Sequence, residues 1–194
     1  NILEIQQGII YSCQKKDALF SNNCIDRRYK KILDGRDVLK WKINWSAKKE
    51  SKYIQYSNKL HRPREERLFL AEEKLLIVRK SMKIVAAYDV DKYYALNTAY
   101  VCLLRNNDYE LKYILAILNS KFINFLYQIV FFGWQVTIPA LNFIPIKNIS
   151  KPQQQDIIDI VNKILPISKE ANYLEDSTKQ GTVKEYERQI DQMV

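Results

Sequence analysis

Through the first hundred residues the apolar positions fall in short runs separated by Gly, Pro and charged clusters, and beyond residue 110 they recur every three or four. Ile2 to Ile5 predicts a short strand, and Gln7-Gly8-Ile9-Ile10 a turn into a second extended piece. Gly35-Arg36-Asp37 predicts a turn. Trp41-Lys42-Ile43-Asn44-Trp45 alternates apolar and polar, as a half-buried strand does, with both indoles on one core-facing side. Tyr53 to Tyr56 is a further strand, and His61 to Arg67 a polar loop containing Pro63. Lys74 to Lys80 and Lys83 to Tyr88 are apolar in the middle and separated by Ser81-Met82, which predicts a hairpin. Tyr93 to Leu104 predicts one more strand.

The period then changes. Leu111, Leu115, Leu118, Phe122, Phe125 and Ile129 mark one face of a single long helix in the core, widened by Ile114 and Leu126 and ending near Gly133. Thr137 to Ile146 holds two prolines and predicts an extended segment. Ser150-Lys151-Pro152-Gln153 reads as a helix start, with Ser150 and Gln153 placed for a capping box. Ile157, Ile158, Val161, Ile164 and Leu165 form its buried stripe, and Pro166 is expected to kink or end it. After Gly181, the residues Val183, Tyr186, Ile190 and Met193 fall at heptad spacing, as in a seam for a dimer. The fold class expected is α+β: a twisted, mainly antiparallel sheet with a long packed helix over residues 1–149. A C-terminal helical segment, 150–194, follows as a spacer or dimerisation element.

The 194 residues suffice for one self-sufficient core. Cys13, Cys24 and Cys102 are scattered, with no C-x-x-C pair, and read as reduced thiols of a cytoplasmic protein. No apolar run is long enough for a membrane span. The N-terminus lacks the regions of a signal peptide, and it opens on Asn1 rather than Met, so a segment of a longer protein is expected. The net charge of +9 is unevenly spread. Residues 1–83 hold 20 Lys and Arg against 10 Asp and Glu, whereas residues 84–194 hold 11 against 12. Such asymmetry points to one region facing a polyanion, with a merely solubilising surface as the alternative.

Catalytic motifs are missing. The sequence has no phosphate-binding loop, no G-x-G-x-x-G turn and no G-x-S-x-G serine. It also lacks the Asn/Asp-Pro-Pro-aromatic motif and the Gly-rich S-adenosylmethionine motif of amino-group DNA methyltransferases. One histidine, His61, offers no metal cluster and little for general base catalysis. Glu-x-Lys, half of a nuclease motif, occurs as Glu50/Lys52, Glu72/Lys74 and Glu110/Lys112, as chance gives in a chain rich in both. Binding is better supported. Arg27, Arg28, Lys30 and Lys31 form a basic run, and Lys48, Lys49, Lys52 and Lys59 lead into His61 and Arg62. Arg79, Lys80 and Lys83 sit at the expected hairpin turn. Phosphates call for cations on turns, and base edges for forked donors. Arg36, Lys40, Arg62, Arg64, Arg79 and Lys80 are the candidate DNA contacts, with no catalytic and no metal residues; Asn97 and Asn119 are read as fixing backbone.

Seven short strings occur in a family order across the chain to about residue 170. They are Gln7-Gly8-Ile9, Gly35-Arg36-Asp37-Val38, His61-Arg62-Pro63-Arg64, Lys74-Leu75-Leu76-Ile77-Val78-Arg79, Tyr94-Ala95-Leu96-Asn97-Thr98, Leu118-Asn119-Ser120-Lys121 and Phe143-Ile144-Pro145-Ile146. In these the chain resembles the TaqI-like C-terminal specificity domain of fused restriction-methyltransferases and DNA adenine methyltransferases. It is similar more distantly to the target-recognition halves of type I specificity subunits. Lys147 stands where the family often has a second proline, and the tail from Ala171 matches no family string. The resemblance implies recognition of double-stranded DNA without chemistry in this segment. A methyltransferase domain, and in some members a nuclease domain, would lie elsewhere in the parent chain, with S-adenosylmethionine and Mg²⁺ needed only there. The rival expectation is a protein-interaction module docking through its C-terminal helices, a dimer among the outcomes.

Overall fold

The computed structural model describes residues 1–12, 19–46, 52–58, 60–131 and 133–194. Cys13, Lys48, Lys49, Glu50 and Lys59 lie outside the described residues. In chain order the elements are β1 (Leu3–Gln7), β2 (Phe20–Ser21), β3 (Tyr29–Leu33), a 3₁₀ turn (Gly35–Asp37), β4 (Val38–Leu39), β5 (Lys42–Ile43), β6 (Tyr53–Gln55) and α1 (Arg67–Leu70). Then come β7 (Lys74–Val78), β8 (Ala86–Asp89), β9 (Tyr94–Ala95), β10 (Ala99–Leu104), α2 (Leu111–Asn119), α3 (Lys121–Val130), α4 (Ile138–Phe143), α5 (Lys151–Lys169) and α6 (Ser177–Met193). The architecture is α+β, as expected.

The main sheet runs β1-β10-β7-β8, antiparallel throughout. It is covered on both faces, which explains why β7 reads as an unbroken apolar run. Leu75, Ile77, Tyr100 and Cys102 point to a core shared with the helices. Leu76, Ala87, Ala99 and Val101 point to a second core, shared with Ile32, Leu33, Ile54, Tyr94 and Ala95 of the sheet β2-β6-β3-β9. Tyr93 to Leu104 is therefore two strands rather than one. β9 pairs in parallel with β3, β10 pairs with β1 and β7, and Leu96–Thr98 crosses from one sheet to the other.

Three further local readings differ from the structure. The long helix breaks at Ser120, where the backbone turns extended (φ −67°, ψ 154°) and the Ser120 hydroxyl accepts from Ile123 N–H to cap α3. The two helices meet at 61°. The break changes which face is buried: Leu111, Leu115 and Leu118 are inside, but beyond it Ile123 and Tyr127 face in while Phe122, Phe125 and Ile129 are exposed. Thr137 to Ile146 is not extended. It contains α4, capped by Thr137 with Pro139 in its first turn, where a missing N–H costs nothing. Trp41 and Trp45 do not share a face. Trp41 occupies the β4–β5 turn at φ 67° and packs with the helices, Lys42 is buried beside it, and Trp45 packs on the second core.

The C-terminal helices follow the sequence pattern in part. The capping box at Ser150 forms as read, and the α5 stripe is buried. Pro166 lies inside α5 and does not end it; the helix continues to Lys169. Its last carbonyls are satisfied by the buried ammonium of Lys42, which donates to the oxygens of Ser168 and Glu170 at 2.8 Å each. Burial lowers the pKa of Lys42. Two of the four α6 stripe residues turn inward: Val183 and Ile190 are 2% and 1% exposed, within the same core as α2 and α5, whereas Tyr186 is half-buried and Met193 is exposed. Glu187 of α6 accepts from the Trp41 indole N–H at 2.6 Å and pairs with Lys40 at 2.7 Å.

Asn119 does fix structure. Its amide bonds both backbone groups of Ala86 at 3.0 Å, closing the free edge of β8. Asn119→Ala leaves those groups buried without that partner and should lower unfolding free energy by about 2 kcal/mol in urea melts. Ile190→Ala should cost about 3 kcal/mol while the mass in solution stays that of the wild type.

Candidate nucleic-acid interface

The crossing segment Leu96–Thr98 is met by three other stretches of chain. Asn97 N–H donates to Ile9 O at 2.9 Å, and Leu96 N–H to Leu33 O at 2.9 Å. The Gln7 amide and the Arg79 guanidinium both donate to Asn97 O, at 3.2 and 3.3 Å. Arg79 N–H donates to Thr98 O at 2.9 Å, and Gly35 N–H donates to the Thr98 hydroxyl at 2.8 Å. Two glycines permit this convergence through space rather than through backbone freedom, since neither has a positive φ. A Cβ on Gly8 would lie 2.3 Å from the carbonyl oxygens of Ala95 and Leu96, and one on Gly35 would lie 2.6 Å from Thr98 O.

The cations arrive on these strands and turns. Arg36 follows Gly35 and is almost wholly exposed, with only a 3.4 Å contact to Asp34. Arg62 pairs its backbone with Ile10 and leaves its side chain exposed. Arg64 sits at φ 70°, in the left-handed region uncommon for a side-chain-bearing residue. Its guanidinium donates to Gly8 O at 3.3 Å, and its carbonyl accepts from the Tyr56 hydroxyl at 2.8 Å. Burial, with the nearby charge of Arg62, lowers its pKa. Lys80 is exposed at the tip of the β7–β8 hairpin. It shares with Asp34, Arg36, Ser81 and Thr98 the rim of a cleft of about 640 Å³, floored by Val38, Leu39, Val78 and Val85. Five of the six candidates are thus brought to one end of the main sheet. The sixth, Lys40, is not, because its ammonium is held by Glu187.

The fold also sorts the remaining basic residues. Arg67 is claimed by Glu4 and Glu65, which raise its pKa, and Arg28 by Asp26. Lys52 is buried against Asp37, and Lys74 against Asp89 at 2.6 Å, where it also bonds Phe69 O. Burial lowers the Lys74 pKa while Asp89 opposes the shift. Lys52, Lys74 and Lys112 thus serve separate structural contacts, Lys112 reaching Asn162. Among the described residues no three His, Cys, Asp or Glu side chains converge as a metal site, and no helix is long and apolar enough to cross a membrane. Sequence reasoning passed over Thr98 and Gln7 as individual contacts, although both lie in quoted strings. The signal was the pairing of Asn97-Thr98 with two glycines distant in sequence.

An α+β domain with a double-covered sheet and cations gathered at one end is the class defined by this geometry. The family model for the TaqI-like C-terminal specificity domain matches residues 30–149. The chain belongs to that family. Its fold is also similar to part of the type IIL restriction-modification enzyme MmeI, solved in complex with DNA, with a TM-score of 0.67 at 10% identity. The match covers 100% of this chain and 32% of that one, so the chain spans about a third of the length of that enzyme. No curated protein matches the chain.

Gly8→Ala and Gly35→Ala should each destabilise the fold by about 3 kcal/mol in denaturant melts, because the opposing atoms are backbone and cannot swing aside.

Proposed function

We propose that the chain reads a specific sequence of double-stranded DNA for a restriction-modification system and leaves the chemistry to other parts of a longer protein. The observation that carries this reading is the gathering of Arg36, Arg62, Arg64, Arg79 and Lys80 around the Leu96–Thr98 crossing while, among the described residues, Arg28, Lys40, Lys52, Arg67 and Lys74 are paired with carboxylates and Lys42 is buried on helix carbonyls. The tip of the β7–β8 hairpin, residues 79–85, carries Arg79, Lys80 and Lys83 on a turn, where cations can reach phosphates. Guanidinium forks at Arg36 and Arg79 suit guanine edges as well as phosphates, and the ammonium of Lys80 suits phosphate. Membership in a specificity-domain family supports the reading, as does likeness to an enzyme solved on DNA. On this reading the parent protein is cytoplasmic. Its methyltransferase domain binds S-adenosylmethionine and acts on an adenine flipped elsewhere in the same site, and a nuclease domain of the parent, where present, uses Mg²⁺. The inward packing of Val183 and Ile190 weighs against a docking module built on the tail.

The test uses labelled duplexes with a randomised centre and anisotropy at several salt concentrations. Sequencing of the bound fraction should show enrichment of one word. Affinity should fall with salt as for about five or more neutralised phosphates, a log–log slope of roughly −4.5 or steeper. Lys80→Ala should flatten the slope by about 0.9. A slope near zero, or a bound pool as random as the input, would overturn the reading.

A further inference from the structure

Trp134 is 67% exposed, whereas Trp41 is 3% exposed and Trp45 is half-buried against Tyr53 and Tyr93. The backbone that follows Trp134 is firmly held. Val136 is fully buried, its N–H donates to Arg79 O at 2.8 Å, and its carbonyl accepts from the Tyr100 hydroxyl at 3.0 Å. The Tyr127 hydroxyl donates to Gln135 O at 3.4 Å. An indole on an anchored backbone is thus presented to solvent beside the strand end that carries Arg79.

The same strand end leads into the hairpin tip. Met82 there is 68% exposed, between the exposed Lys80 and Lys83, and Ile84 N–H is tied to Asn124 of α3 at 2.8 Å. The cleft rimmed by Arg36 and Lys80 lies on the second-core side of the tip. Trp134 lies on the helix side, because Val136 and Tyr100 belong to the helix core. The two segments meeting here carry no carboxylate: the sequence has no Asp or Glu from Lys74 to Tyr88 or from Leu111 to Gln155. An exposed indole on segments that carry cations and no carboxylate of their own suits a base face with phosphates on either side, since every base offers a π-face to an indole.

We propose that Trp134 packs its indole against a base of the bound duplex, with Lys80 and Lys83 on flanking phosphates. It would act as an apolar wedge at a step that the DNA opens. This rests on the DNA reading above and adds a contact that none of the basic candidates supplies.

The intact chain is compared with Trp134→Phe and Trp134→Ala, using a mixed-sequence duplex pool enriched by the wild type. Anisotropy reports binding, and acrylamide quenching of tryptophan emission reports access to the indole. Duplex should shield the quenchable emission of the wild type, and the shielding should vanish in Trp134→Phe. Trp134→Ala should bind about tenfold more weakly with an unchanged salt slope, because an indole carries no charge. Its thermal midpoint should match the wild type, since the side chain is exposed. Duplex bound with the indole as open to acrylamide as before, or Trp134→Ala binding as tightly as wild type, would sink the wedge and leave the DNA reading standing. No duplex bound by the wild type would remove both. Shielding that grows with protein concentration in the absence of DNA would identify a protein-docking face instead and would equally overturn the wedge.

Discussion

The close approach of three backbones at Leu96–Thr98 is the constraint on which the molecule depends. This segment must leave one sheet and enter the other within three residues, and its amides and carbonyls cannot pair in a continuous ladder while it does so. They are satisfied from outside, by Ile9, Leu33, Gln7 and Arg79, while Gly35 N–H bonds the Thr98 hydroxyl. The partners come from three stretches of chain, around residues 7–9, 33–35 and 79, so the crossing gathers residues remote in sequence. Gly8 and Gly35 make the gathering sterically feasible. The cationic end of the domain is a by-product of that backbone requirement, because arginines sit next to the residues the crossing must recruit.

Electrostatics then acts by subtraction. The N-terminal half holds the excess of positive charge, yet Arg28, Arg67, Lys40, Lys52 and Lys74 are spent on carboxylates, and Lys42 on helix carbonyls. Exposed pairs among these contribute little to stability, but they remove charge from surfaces far from the crossing. The cations left around the crossing owe their prominence to where the acids are.

Much of this was legible in the sequence. The β7–β8 hairpin, the Ser150 capping box, the α5 stripe and the family strings rest on local chemistry and appear where the pattern placed them. What escaped depended on partners far along the chain. Leu111 to Ile129 kept a perfect helical period, and only the polar pair Asn119-Ser120 marked the break. Those side chains turn away because β8 needs Asn119 and α3 needs a cap. The apolar residues past the break are periodic without being buried, so period alone could not tell core from surface. Lys42 looked like the solvent-facing member of an alternating strand, since nothing local announces that the end of α5, over 120 residues later, requires a donor. Lys40 looked free for the same reason.

The small β4–β5 hairpin has two sides with different neighbours. Val38 and Leu39 help to floor the cleft between Arg36 and Lys80, while Lys40, Trp41 and Lys42 grip the ends and flank of the last two helices. Five residues thus join the cleft floor to the C-terminal layer as a single hinge plate. Thermodynamic reciprocity then applies: strain placed on the helical layer is shared with the cleft, and whatever stiffens the cleft also tightens the grip on those helices.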